Sequence, residues 1–141
     1  MNSSWLCVDA NLVIRLVTDP ADNSIRSLWW QWDSDRRRLA APTLLYYEVA
    51  NAFHQYQTLG LMSAASARLA FKAPLTPRIE LQGGAHLHWR ALELANRFSL
   101  RAAYDAHYLT VAEQLKGEFW TSDGRLARAV ESSLPWVHMV A

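Results

Sequence analysis

The sequence predicts an α/β fold, a three-layer α/β/α sandwich with a mainly parallel central sheet. Three observations carry this. Short apolar runs of strand length alternate with longer stretches of helical periodicity. The alternation persists along the whole chain, which points to parallel strands joined by right-handed helical crossovers. Acids also stand at or just past the ends of two of the short runs, at the carboxyl ends where such sheets hold their ligands. The 141 residues suit a single domain, 1–141, able to bury its own core.

Trp5 to Val8 is the first strand, and Asp9 ends it before the helical run Leu12 to Val17. Asp19-Pro20 breaks that helix, Ser24 is placed as the next N-cap, and Ile25, Leu28, Trp29 and Trp32 form an apolar stripe from which Trp30 points away. After the basic turn Arg36-Arg37-Arg38, Leu39 to Ala41 is a second strand closed by Pro42. Leu45, Val49, Ala52, Phe53 and Tyr56 mark a helix stopped by Gly60, and a smaller helix from Ser63 to Lys72 is ended by Pro74 and Pro77. Ile79 to Leu81 alternates briefly before Gly83-Gly84. Ala85 to Phe98 is read as a helix buried through Trp89, Leu92, Ala95 and Phe98; the next stripe is Tyr104, Tyr108, Val111, Ala112 and Leu115, stopped by Gly117. Phe119 to Thr121, Gly124 to Ser132 and Trp136 to Val140 complete the chain as strand, helix and strand.

Composition excludes several classes. Hydrophobic residues at 51% with charged residues at 19% describe a globular chain, not a disordered or fibrous one. Fourteen basic side chains against 13 acidic ones is not the bulk-basic balance of a protein that coats nucleic acid, although all but Lys72 and Lys116 are arginine, the side chain suited to bidentate phosphate contacts. Cys7, the single cysteine, allows neither an intrachain disulfide nor a cysteine-based zinc site and fits a reducing compartment. Asp9 within the N-terminal apolar stretch argues against a signal peptide, and no apolar run approaches a membrane span, so a soluble, cytoplasmic protein is expected.

Most acids have polar or loop neighbours. Asp9, Glu48, Asp105 and Asp123 instead sit in or after apolar stretches, where an ionised carboxylate is costly without a partner. At about 100° per residue, Glu48 and Asp105 look sideways from the edges of their apolar stripes. Each acid has an ordinary reading as a helix cap or first-turn charge. Capping does not explain why all four coincide with element starts on one predicted sheet edge. Four carboxylates gathered there raise one another's pKa and favour a bound cation, and an oxygen-only donor set selects a hard one, Mg²⁺ or Mn²⁺.

Val8-Asp9-Ala10-Asn11, Tyr47-Glu48-Val49-Ala50-Asn51, Tyr104-Asp105-Ala106-His107-Tyr108-Leu109 with Ala112-Glu113, and Thr121-Ser122-Asp123-Gly124-Arg125-Leu126 resemble the four motifs of the PIN-domain nucleases, in order over essentially the whole chain. The likeness is greatest to the VapC-like toxins of bacterial toxin–antitoxin modules. It implies that Asp9, Glu48, Asp105 and Asp123 form a catalytic, metal-binding quartet supported by Asn11 and Thr121. The activity it implies is Mg²⁺- or Mn²⁺-dependent endoribonucleolytic hydrolysis of structured RNA such as tRNA, leaving 5′-phosphate and 3′-hydroxyl ends. A cognate antitoxin and a homodimer are implied as partners.

Arg15, Arg101, Arg125 and Arg128 lie near the acid motifs in sequence and are candidate contacts to RNA phosphates. A metal-free, histidine-based ribonuclease is the mechanistic rival. It is disfavoured because His107 points about 160° away from Asp105 around one helix, while His86 and His88 read as remote from every acid motif. The rival from another class is a catalytically silent PIN-fold binding module, its acids serving as caps and its function residing in partner contacts such as the outward-facing Trp30.

Overall fold

The computed structural model of the chain describes residues 4–72 and 78–141. Pro74 and Pro77, read above as ending a helix, lie outside the described residues. The chain runs β1 (Trp5–Val8), α1 (Ala10–Thr18), α2 (Asn23–Ser34), β2 (Arg38–Pro42), α3 (Leu44–Thr58), α4 (Ala64–Lys72), β3 (Ile79–Gln82), α5 (Ala85–Arg97), α6 (Ala103–Leu115), β4 (Glu118–Thr121), α7 (Gly124–Val130) and β5 (Val137–Met139). No helix among the described residues is long and apolar enough to cross a membrane.

All pairings in the five-stranded sheet are parallel, in the order β3-β2-β1-β4-β5. The connections therefore run outward from β1 through β2 to β3, then return to the other side of β1 for β4 and β5. Right-handed crossovers in these opposite directions place their helices on opposite faces. On one, α1 and α3 pack together against β4 and β2; on the other, α6 crosses β1, β2 and β4 with α5 outside it. The strand order reverses between β1 and β4, so the ligand crevice of the fold opens at their carboxyl ends.

Burial explains why β1 is central. Leu6, Cys7 and Val8 are all buried, as a strand covered on both faces requires. Tyr108, Leu109 and Val111 of α6 and Leu12 and Val13 of α1 close over this sheet, each buried side chain stabilising by about 1.5–3 kcal/mol.

Four local expectations change, the first being Tyr104, which heads the predicted stripe of α6 but is largely exposed. Helix α5 buries Leu87, Ala91, Leu94 and Ala95, while Trp89 is 73% and Leu92 51% exposed. The true stripe is smaller because α5 lies close against α6, an approach that alanines permit and a tryptophan obstructs. Asp22, not Ser24, caps α2: its carboxylate accepts from the Ile25 N–H, while the Ser24 hydroxyl donates to the same oxygen at 2.7 Å. After α6 it is Lys116 that turns left-handed, at φ 53°. Gly117 serves close approach instead, since a Cβ there would stand 2.5 Å from the Trp5 carbonyl oxygen.

Candidate active site

Register places the first acid beside its hydroxyl partner. β1 and β4 pair Val8 with Trp120, so Asp9 and Thr121 come next along two neighbouring strands. The Asp9 N–H continues the ladder, donating to the Trp120 carbonyl at 3.0 Å. The Thr121 hydroxyl, fully buried, donates to Asp9 Oδ2 at 2.7 Å and accepts from the Asp123 N–H at 2.9 Å. One hydroxyl thus ties the Asp9 carboxylate to the backbone of Asp123, just past the end of β4. Asn11 Nδ2 reaches Asp9 Oδ2 and Thr121 Oγ1, both at 3.3 Å, and its Oδ1 accepts from the Ser122 N–H, tying α1 to the loop after β4.

The other two acids come from helices on opposite faces. Glu48 lies in α3 and Asp105 in the first turn of α6. Buried Tyr108, one turn beyond Asp105, donates its phenolic hydroxyl to Glu48 Oε1 at 2.6 Å and so joins the two faces across the sheet edge. Asp9, Glu48, Asp105 and Asp123 all line one open cleft of about 320 Å³, with no Arg, Lys or His among its described lining residues.

Repulsion and burial show in the titration of these groups. Burial pushes Asp9 up to about 7; Asp105 and Glu48 add to the rise, while the Thr121 hydrogen bond opposes it. Glu48 is raised by partial burial against the lowering effect of Tyr108. Asp105 is raised by burial, then by the charges of Asp123 and Glu48. Burial and the nearby Glu48 carboxylate push the Tyr108 phenol far upward, so it remains a proton donor.

The PIN domain family model matches residues 6–131, which takes in all four acids. The chain belongs to the PIN domain family. PIN domains are generally nucleases, hydrolases of phosphodiester bonds. A crystal structure of PAE2754 from Pyrobaculum aerophilum is similar at 28% identity and a TM-score of 0.66, covering 92% of this chain and 87% of that one. A toxin–antitoxin complex from Klebsiella pneumoniae contains a chain of the same fold, with 14% identity, a TM-score of 0.65, and coverage of 96% and 99% respectively. No curated protein matches the chain.

This PIN domain brings the sequence-predicted quartet together, with Asn11 and Thr121 beside it. Arg101, Arg125 and Arg128 line an adjoining cleft that shares Asp105 and Asp123 as a wall. Arg15 is placed differently: its guanidinium is held by Asp22 at 2.9 Å and by the Ala141 carbonyl oxygen, and it lines neither cleft. His88, remote from the acid motifs in sequence, touches His107 of the Asp105 helix at 2.9 Å.

Sequence reading assigned no site role to Asn51, Gln55 or Tyr108. Asn51 and Gln55 line the acid cleft; they stand three and seven residues after Glu48, the spacing of one helix face, which was a usable signal. Periodicity puts Tyr108 in the apolar stripe of its helix, although a buried phenol normally needs a hydrogen-bond partner.

Among the described residues, no three His, Cys, Asp or Glu side chains close up into a group that could by itself hold a metal ion. The donor chemistry nevertheless fits a hard cation held partly through water. The cleft is open, its acids repel, and Mg²⁺ ordinarily keeps several waters while taking one or two carboxylates.

Proposed function

We propose that this PIN domain is a metal-dependent endoribonuclease acting on structured RNA such as tRNA, the toxin of a toxin–antitoxin pair. The observation that carries this reading is the convergence of Asp9, Glu48, Asp105 and Asp123, from two strand–helix junctions and two helices, on one cleft with no cationic side chain among its described lining residues. Such a site stores negative charge that a substrate phosphate cannot approach uncompensated. Mg²⁺ or Mn²⁺ held by these carboxylates, in part through water, supplies the polarisation of the phosphodiester and the acidification of water that hydrolysis requires.

The chain's own residues have distinct parts in this reading. Thr121 and Asn11 hold Asp9 in one orientation. Tyr108 occupies Glu48 Oε1, leaving Oε2 to accept a proton from the attacking water, and the raised pKa of Glu48 suits it to that task. Arg101 and Arg125, with Arg128, contact backbone phosphates leading to the cleft. In-line attack by water leaves 5′-phosphate and 3′-hydroxyl ends without a covalent enzyme intermediate. The likeness of fold to a chain of the Klebsiella toxin–antitoxin complex supports a protein antitoxin as partner. Homodimerisation and a cytoplasmic location belong to the same proposal.

The test is cleavage of total RNA by purified protein in Mg²⁺, Mn²⁺ or EDTA, with Asp105→Asn as control. Cleavage that needs the metal and disappears in the variant is expected; full activity in EDTA, or in the variant, overturns the reading. Retention of toxicity in cells by Asp105→Asn would favour the binding-module alternative.

A further inference from the structure

Beyond Glu48 and Asp105 lies a second cleft, of about 310 Å³, at the carboxyl ends of β2 and β3. Tyr47 of α3 and Tyr104 of α6 line it, with Leu87 beneath and His88 and His107 beside them. Each tyrosine immediately precedes an acid of the first cleft. One residue is about 100° around a helix, so the same two helices present carboxylates to one cleft and phenol rings to the next.

The rings are free to be covered: Tyr47 is 74% and Tyr104 63% exposed. Gly83 and Gly84 complete the rim with bare backbone. Gly84 holds φ at +124°, and a Cβ there would stand 2.9 Å from the His86 ring, so the position resists a side chain. The histidines supply directional hydrogen bonding. His107 Nδ1 lies 2.7 Å from the Ala103 carbonyl oxygen and must donate to it; in the neutral pair His107 Nε2 then accepts from His88 Nδ1, leaving His88 Nε2 as an acceptor.

The chemistry differs from that on the other side of the acids. There, three guanidinium groups suit a phosphate backbone; here no lysine or arginine is among the described lining residues, and the cleft is aromatic and edged with hydrogen-bonding nitrogen. We propose that the Tyr47–Tyr104 cleft is a nucleobase subsite that receives an unpaired RNA base adjacent to the scissile phosphate. The proposal takes its substrate class from the nuclease reading and adds where, and by which surface, the strand is gripped. Stacking on aromatic faces tolerates any base, while the histidine edge supplies preference.

The closing experiment separates this proposal from the nuclease reading by measuring binding without catalysis. The full chain carrying Asp105→Asn, in which cleavage is expected to disappear, is titrated in Mg²⁺ with a fluorescein-labelled eight-nucleotide single-stranded RNA, and with the same RNA made abasic at each position in turn. One abasic position should weaken binding by about 5- to 150-fold, and Tyr47→Ala with Tyr104→Ala should abolish that difference. Both tyrosines are exposed, and unchanged circular dichroism confirms folding. Arg125→Glu should instead weaken every RNA alike. If the intact and abasic RNAs bind equally, or the tyrosine variants weaken all RNAs equally, the subsite is overturned while RNA binding stands. Absence of binding to any of these RNAs overturns the subsite, while the nuclease reading stands or falls separately by cleavage of total RNA. Loss of dimer mass in the tyrosine variants, with no abasic discrimination, assigns the cleft to a second copy of the chain and also overturns the proposal.

Discussion

Asp9 and Asp123 occupy similar places in the chain, each at or just past the end of one of two adjacent parallel strands and at the N-cap of the next helix. Their energetic roles are opposite. Asp123 caps α7, its Oδ1 accepting from the Arg125 and Leu126 N–H groups at 3.0 and 3.2 Å. Asp9 makes no side-chain cap bond to α1; it is 6% exposed and turned instead to Thr121 and Asn11. One carboxylate serves the fold, whereas the other burdens it and is oriented by two side chains toward a cleft of like charge. Similar position in a strand–helix junction therefore does not imply similar cost to the fold; the hydrogen-bond partners decide.

The largest expected effect is on activity. Asp9→Asn keeps the shape of the acid but not its charge and should lower RNA cleavage at least about 100-fold, more than the roughly 10–100-fold lost with a mere supporting partner of a metal ligand. If this variant cleaves normally, the asymmetry between the two acids has no functional meaning.

The same pair predicts an unusual pH dependence of stability. Folding raises the Asp9 carboxyl from 3.8 to about 7, so between those values the folded state holds a proton that the unfolded chain has released. Stability falls as pH rises through this window, by roughly 4 kcal/mol in total at 1.36 kcal/mol per tenfold change in acidity. Glu48 and Asp105 are raised and add in the same sense. Asp22, held down to about 2 by Ser24 and Arg15, acts oppositely, its stabilisation being lost as pH falls below the ordinary carboxylate range. Urea titrations in EDTA at pH 5.5 and 8 should show the higher midpoint at pH 5.5, and Asp9→Asn should flatten most of the difference.

Tyr108→Phe tests the other buried attachment. Without the phenol Glu48 loses the hydrogen bond that lowers its pKa, so the acid limb of the cleavage profile should move to higher pH. The rate should fall by about 10–100-fold, as when a supporting partner of a metal-site ligand is lost. An unmoved pH profile would reduce Tyr108 to a core residue.

The smallest effect belongs to Asp123 as a cap. Asp123→Ala should cost about 1 kcal/mol of stability and Asp123→Asn almost none, since asparagine caps equally well. Thermal melts of both variants check this. Equal destabilisation by the two would mean that charge, not capping, is what position 123 contributes to the fold.

Much of this site was legible in the sequence because strand ends are. An acid after Trp5–Val8 and another after Phe119–Thr121 fall at one sheet edge once the strands are parallel, and the register confirms it. The helix pair was less legible. Trp89 draws the eye as a core residue, yet α5 turns it outward, because only the smaller Leu87-Ala91-Leu94-Ala95 face packs close to α6. Arg15 was legible as a nearby cation but not as the partner of Asp22, a pairing set by how α1 meets α2. The contact of His88 with His107, and the reach of Tyr108 to Glu48, depend on helices brought together across the fold. Sequence spacing within one helix carries no trace of either.

The most direct measurement is thermal unfolding of the wild-type chain and Asp9→Asn at pH 8, each with EDTA and with saturating Mn²⁺. If the buried carboxylate is there to meet a cation, Asp9→Asn is more stable than wild type in EDTA, and Mn²⁺ stabilises only the wild type appreciably. Equal stabilisation of both proteins by Mn²⁺, or a less stable Asp9→Asn in EDTA, would contradict that account.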